Sequence, residues 1–358
     1  MRCLPFARHV RTVLAATGVA VSLAAAPFVR AQTETCTTQS ALPSAERAAI
    51  AEAARRIATA VIANDAAALR SVAAPDLARE FGALQYLVAT TSPKLAGDTP
   101  VVSQVYLLDA TKLAPNADGS AVEAQFFCSL NRTAAEVEFD IPSLPAGRYA
   151  FAIVDLTAGS SNIPWRISFL LHQLPPSTGP WLLAGLYPRQ LTAAGHDGLW
   201  YWEQARQFAK GKQPWNAWVF YQTALRLVQP APFLNSTHLE KLRTEASTAA
   251  PPALTEGVSS DAPLVVKGLN GAEFHITSLG ADDTASASGA SPSLDIAVHF
   301  NADPLPDQAA GRQRNLAAAA ALLSAYPELR KPFHGVEVYA DIQGQQSVSS
   351  EFPMAEIH

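Results

Sequence analysis

Cysteine is scarce in this chain, which carries only Cys3, Cys36 and Cys128. So few, so far apart, they make neither a CxxC redox pair nor a four-cysteine zinc site. The sequence also lacks a GxxxxGK[ST] loop, a GxGxxG after a strand and a GxSxG elbow, which are the usual handles of phosphate, dinucleotide and serine-hydrolase chemistry. No cofactor is expected. Positive charge is short as well, with 26 Lys and Arg against 31 Asp and Glu and a net charge of -5. A nucleic-acid partner asks for the reverse balance and is not expected. Beyond residue 31 no apolar run approaches the roughly 20 residues that span a bilayer.

What is present begins with a leader. Arg2, Arg8 and Arg11 precede an acid-free apolar run from Val13 to Ala26, and Val29-Arg30-Ala31 forms a small-x-small cleavage pattern. Residues 1 to 31 are expected to be a signal peptide, and the remainder an exported protein of the periplasm or extracellular space with no transmembrane anchor. Cys3 leaves with the signal. Cys36, in "QTETC", lacks a lipobox, so it is not expected to carry a lipid. Cys36 and Cys128 either remain two thiols or join, and an oxidising compartment permits the bond.

Residues 44 to 63, "SAERAAIAEAARRIATAVIA", place Ile50, Ala54, Ile57 and Val61 at helical spacing. Asn64-Asp65 interrupts them, a short helix reaches about Val72, and Pro75-Asp76 restarts a helix with Leu77, Phe81, Leu84 and Val88. The period then changes. "VSQVYLLDAT", "AVEAQFFCSL", "AAEVEFDI", "GRYAFAIVDL", "PWRISFLLHQL" and "PWLLAGLYP" are successive strand candidates separated by turn-like stretches. Val137 and Phe139 alternate with Glu136, Glu138 and Asp140, as in a sheet wet on one side. Helices followed by a meandering antiparallel sheet predict an α+β unit over residues 44 to 190.

That order, ending in the "WRISFLLHQL" and "WLLAGL" strands, resembles the NTF2-like superfamily, a cone whose curved sheet wraps a long helix. The resemblance implies a cavity that serves as a catalytic pocket in some members and is structural in others. Residues 196 to 247 resemble a single tetratricopeptide-repeat unit. Tyr201, Ala205 and Phe208 stand at its first-helix positions, and Ala217, Tyr221 and Ala224 at its second-helix positions. Gln204 replaces the usual leucine there, and Pro230 falls one place late. "FLNSTHLEKLRTEA", from Phe233, is a candidate third helix packed on this hairpin.

Residues 248 to 261 read as a linker rich in Pro, Ala, Ser and Thr. Beyond it, residues 262 to 358 predict a C-terminal α/β two-layer sandwich. "PLVVKG" and "AEFHITSL" pair across Asn270-Gly271, residues 281 to 293 form a loop, and "LDIAVHFN" is a strand. A helix runs from Pro306-Asp307 to about Tyr326 with Leu316, Ala320 and Leu323 inward. "GVEVYADI" follows as a strand, and the final stretch is an irregular edge.

Three constellations bear on chemistry. In the N-terminal unit the acid-base candidates are Asp155, His172 and Tyr106, with Trp165 and Phe127 as pocket walls. Parity opposes the pair, because Asp155 shares the face of Tyr149, Phe151 and Ile153 while His172 opposes Trp165, Ile167, Phe169 and Leu171. His275, His299 and His334 lie on separate strand candidates, with Asp341 and Glu351 nearby in sequence; they are the candidate metal ligands, although no HExxH or closely spaced pair supports them. His196-Asp197 precedes a helix, where Asp197 is expected to act as a cap. Asn131-Arg-Thr and Asn235-Ser-Thr match the glycosylation acceptor pattern.

The aromatic hairpin allows three readings: a brace in which Trp202 or Trp218 packs on the N-terminal sheet, an exposed apolar patch that anchors a partner, and a stacking platform for a small ligand. Trp202, Trp218 and Trp165 are the candidate binding residues. The expected function is non-enzymatic binding or assembly with an envelope or secreted protein. The alternative is a cofactor-independent acid-base isomerase, cyclase or hydrolase acting in the cone.

Overall fold

The computed structural model describes residues 34–129, 136–157, 163–175, 178–254, 257–269, 271–284 and 293–358. Residues 1 to 31, the expected signal peptide, and Asn131 and Asn270 lie outside them. The fold is α+β. It opens with β1 (Thr35–Thr38), then α1 (Ser44–Ile62), α2 (Ala66–Ser71), α3 (Pro75–Arg79) and α4 (Phe81–Thr91). Helix α1 buries Ile50, Ala53, Ala54, Ile57, Ala58 and Val61, the stripe that spacings of three and four residues produce. Asn64 adopts a positive φ of 52°, which ends the helix, and Asp65 caps α2 by accepting from Ala68 N at 2.9 Å.

Six strands follow: β2 (Thr99–Asp109), β3 (Val122–Cys128), β4 (Val137–Leu144), β5 (Arg148–Thr157), β6 (Trp165–Gln173) and β7 (Trp181–Gln190). They do not form one meander. β5 pairs with β2 directly, giving the antiparallel order β1-β2-β5-β6-β7, while β3 and β4 leave to form a second sheet. The first sheet is therefore buried on both faces. Val105, Leu107, Val154, Ile167 and Phe169 meet α1 and α4 on one side, whereas Tyr106, Leu108, Tyr149 and Phe151 meet Phe126 and Phe139 of the second sheet on the other. Phe139 sits edge-on to Tyr106 and Phe151 at centroid distances of 5.3 and 5.2 Å. Cys36 and Cys128 form a disulfide that ties β1 to β3, with a Cα–Cα distance of 5.2 Å and 92 residues of separation. Closing a loop of that length removes chain entropy from the unfolded state, on the order of 4 kcal/mol.

The short strands β8 (Thr192–Ala193) and β9 (His196–Asp197) lead into α5 (Gly198–Lys210) and α6 (Pro214–Val228). Tyr201, Ala205, Ala217, Tyr221 and Ala224 are all buried where these helices cross. At Gly198 a Cβ would lie 2.3 Å from Val228 Cγ1 and 3.2 Å from Ala224 O, so the crossing admits only glycine there. Lys212 takes a positive φ of 56° in the turn between the helices. β10 (Leu234–Ser236) pairs with β4, and α7 (Thr237–Ala249) continues from it.

Hairpin α5–α6 is a brace, but its anchors differ from those expected. Leu225 and Val228, not Trp202 or Trp218, pack against the N-terminal core. On the other side Phe220 meets Phe333 at 5.8 Å and Trp215 meets Tyr326 at 3.8 Å. Glu328 accepts from Trp215 N at 2.7 Å, and its carbonyl accepts from Asn216 Nδ2 at 2.8 Å. Leu254, inside the expected linker, is buried in the core shared by hairpin and C-terminal sheet.

That sheet comprises β11 (Leu264–Lys267), β12 (Glu273–Thr284), β13 (Ser293–Asn301), β14 (Gly335–Asp341) and β15 (Val348–Pro353), in sequence order. All pairs are antiparallel except β13–β14, which α8 (Gln308–Ala325) spans as the crossover that parallel strands require. β12 runs to Thr284 because Ala281, Asp282, Asp283 and Thr284 pair with β13, so these four residues of the expected loop, and Ser293 at its end, are strand; residues 285–292 lie outside the described ones. The expected irregular edge is the regular strand β15. Helix α8 buries Ala318, Leu322 and Leu323, and its buried Asn315 donates to Val348 O and Ser350 Oγ.

Candidate functional site

The sequence-derived candidates scatter. Tyr149 pairs with His172 and Asp155 with Arg166, which puts Asp155 and His172 on the same face of the sheet. The expected parity conflict does not exist, because the sheet has two buried faces and each of the two sets of apolar residues belongs to a different one. Distance separates the pair instead: six residues of strand amount to about 20 Å. Asp155 holds Arg166 at 2.8 Å. The His172 ring stacks on Tyr149 at 4.4 Å, and its pKa is lowered by burial against a smaller opposing pull from Asp76. Tyr106 is buried in the inter-sheet core, which raises its pKa. Phe127 is exposed on β3 and walls no pocket with these groups.

The three candidate tryptophans are largely covered. Trp165 is buried against the helices, with Lys94 Nζ 5.9 Å from its ring centroid. Trp218 is partly buried against the hairpin and C-terminal core. Trp202 is 9% exposed. Asp197 caps α5 as expected, accepting from Trp200 N at 2.8 Å, and His196 stacks on Trp200.

The three C-terminal histidines do not converge. His275 is exposed opposite Val265, His334 Nδ1 lies 3.5 Å from Asp295, and His299 Nδ1 lies 3.1 Å from Asp341. Among the described residues no group of three or more His, Cys, Asp and Glu is placed to hold a metal ion.

The arrangement with most directional chemistry lies between α5 and α7. Leu199, Trp202, Glu203, Arg206, Gln207 and Lys210 form one stripe of α5, at the spacings of a single helix face, and His238 and Lys241 face them from α7 across an open groove of about 500 Å³. Glu245 fixes the groove's floor. Its Oε2 accepts from Trp202 Nε1 and Arg206 Nε, both at 2.7 Å, and its Oε1 accepts from Arg206 Nη2 at 2.8 Å. The guanidinium also lies over the Trp202 ring, 4.5 Å from the centroid. Hydrogen bonding from Arg206 is the main reason that the Glu245 pKa is lowered. The fork-to-carboxylate geometry makes this a positioned pair.

Around that pair the lining is cationic. With Arg206 matched by Glu245, Lys210 and Lys241 face one lining acid, Glu203, and Lys210, Lys241 and His238 are exposed. Leu199, at 65% exposed, gives the rim an apolar step. The sequence pointed to Trp202 but missed Arg206 and Glu245. The readable signal was Trp202 four residues before Arg206 on one helix; the partner carboxylate lies 39 residues further along the chain. A second hollow, of about 530 Å³ beside α3 and α4, is lined by Asp76, Arg79 and Glu80. There Arg79 already pairs with Asp76. The chain matches no family model, no curated protein and no solved structure.

Proposed function

We propose that this chain is an exported binding or assembly protein that takes an acidic segment of a secreted or envelope partner into the α5–α7 groove. The observation that carries the reading is a local reversal of charge: with Arg206 neutralised by Glu245, exposed Lys210 and Lys241 face a single lining acid, Glu203, in an open groove on a chain of net charge -5. A cationic patch on an acidic surface steers a partner of opposite sign and rejects basic ones. The exposed Leu199 and the edge of Trp202 offer apolar surface for an anchoring side chain. Export is supported by the leader pattern of residues 1 to 31 and by the Cys36–Cys128 bond.

The finer architecture we propose is an NTF2-like unit over residues 44 to 190, a tetratricopeptide-like hairpin over 196 to 247 and an α/β two-layer sandwich over 262 to 358. Helices α1 to α4 packed on β2, β5, β6 and β7 support the first. The Tyr201, Ala205, Tyr221 and Ala224 crossing supports the second, and α8 laid on the sheet β11 to β15 supports the third.

The test uses the full exported chain and a fluorescent synthetic peptide of glutamate residues with interspersed leucines. Binding is expected to weaken as salt rises, and Lys210→Glu combined with Lys241→Glu is expected to weaken it by at least about tenfold. Equal binding by wild type and double variant would overturn the reading.

A further inference from the structure

A second polar site lies on the C-terminal sheet, on elements that the α5–α7 groove does not use. Register puts Ser278, His299 and Tyr339 side by side on β12, β13 and β14. They share the face opposite to Val338 and Ser350, where α8 packs through Asn315. Beside them is a groove of about 320 Å³ between this face and α6, lined by Gln222, Thr223, Arg226, Ser278, Asp282 and His299. That volume accommodates a small molecule.

His299 is held from two directions. Its ring stacks on Tyr339 with centroids 4.4 Å apart and planes at 6°, and its Nδ1 lies 3.1 Å from Asp341 Oδ2. Ser347 Oγ donates to the other oxygen of Asp341 at 2.5 Å, fixing the carboxylate in turn. An ionised carboxylate only accepts, so in the neutral ring Nδ1 is the protonated nitrogen and Nε2 the one with the lone pair. His299 lines the groove, and Asp341, which holds Nδ1, is not among the residues that line it. No hydrogen bond among the described residues occupies Nε2. Across the groove Arg226 is held by Asp282 Oδ1 at 2.5 Å, as an ion pair, and by Ala281 O at 2.7 Å.

We propose that His299 is a general acid-base group, positioned by Asp341, that hydrolyses a small ester bound in this groove. Nε2 takes a proton from water as the water oxygen bonds to the carbonyl carbon. It returns that proton to the leaving alkoxide as the C–O bond breaks, so one ester and one water give one acid and one alcohol, and the imidazole is regenerated.

The test is hydrolysis of p-nitrophenyl acetate by the full chain. The expected result is a saturable rate that falls by about a hundredfold in His299→Gln and is unchanged in His275→Gln, a histidine exposed elsewhere on the sheet. Asp341→Asn is a positioning variant and is expected to lower the rate while nitrogen-15 spectra show the His299 ring passing from the Nδ1-protonated form to a mixture of tautomers. A wild-type rate in His299→Gln, an equal loss in His275→Gln, or an unaltered tautomer in Asp341→Asn would each overturn the proposal.

Discussion

The sheets β1-β2-β5-β6-β7 and β11 to β15 have five strands each, but they treat their polar residues in opposite ways. The first is covered by helices on one face and by a second sheet on the other, and its ionisable groups end up isolated: Asp155 with Arg166, His172 against Tyr149, Tyr106 in the core. The second is covered by α8 on one face and leaves part of the other open beside α6. There Ser278 and His299 line one groove, with Tyr339 and Asp341 held against His299. Burying both faces of a sheet favours stability and removes chemistry, because a buried polar group needs a dedicated partner. An uncovered face keeps its polar groups available.

Truncation should show this contrast most strongly. Phe139→Ala, at a fully buried ring between two sheets, is expected to cost about 3 to 5 kcal/mol. Tyr339→Ala, on the open face, should lose chiefly its stacking on His299, about 1 kcal/mol. Comparable losses in urea unfolding would break the comparison. Ala205→Trp comes next: it overpacks the α5–α6 crossing, where Ala205 is fully buried, and is expected to cost about 1 to 3 kcal/mol. Unchanged thermal unfolding would contradict that packing.

The smallest effect concerns pH. Burial lowers the His172 pKa below its ordinary 6.5, so between the lowered value and 6.5 the unfolded chain binds more protons than the folded one. Stability from this residue is then full above pH 6.5 and declines as pH falls through that window. His172→Gln should flatten this part of the stability profile, and an identical slope in the variant would remove His172 as its source.

Much of the fold was legible because it is written locally. The α1 stripe, the break at Asn64-Asp65, the Asp197 cap, the helix start at Pro306-Asp307 and the small and aromatic residues of the α5–α6 crossing all follow from spacing within one or two turns. The double burial of the first sheet had a signal that parity reasoning passed over. "YAFAIV" and "ISFLL" are nearly continuous apolar runs, which describe strands covered on both sides and not alternating ones. The sites were harder. Glu245 reaches Arg206 across 39 residues and Asp341 reaches His299 across 42, the second through a parallel register set by how α8 lies on the sheet. Local periodicity carries no information about either. The density of aromatics did single out Trp202, and the placing of histidines on strands singled out His299, with Asp341 named beside it only as a carboxylate near in sequence to candidate metal ligands and not as its partner.

The central claim is that the α5–α7 groove is where an acidic partner docks. Hydrogen exchange of the full chain, measured by mass spectrometry with and without the glutamate-leucine peptide, tests it most directly. The account predicts slowed exchange confined to residues 199–210 and 237–243. Protection elsewhere with none in these two segments would contradict it.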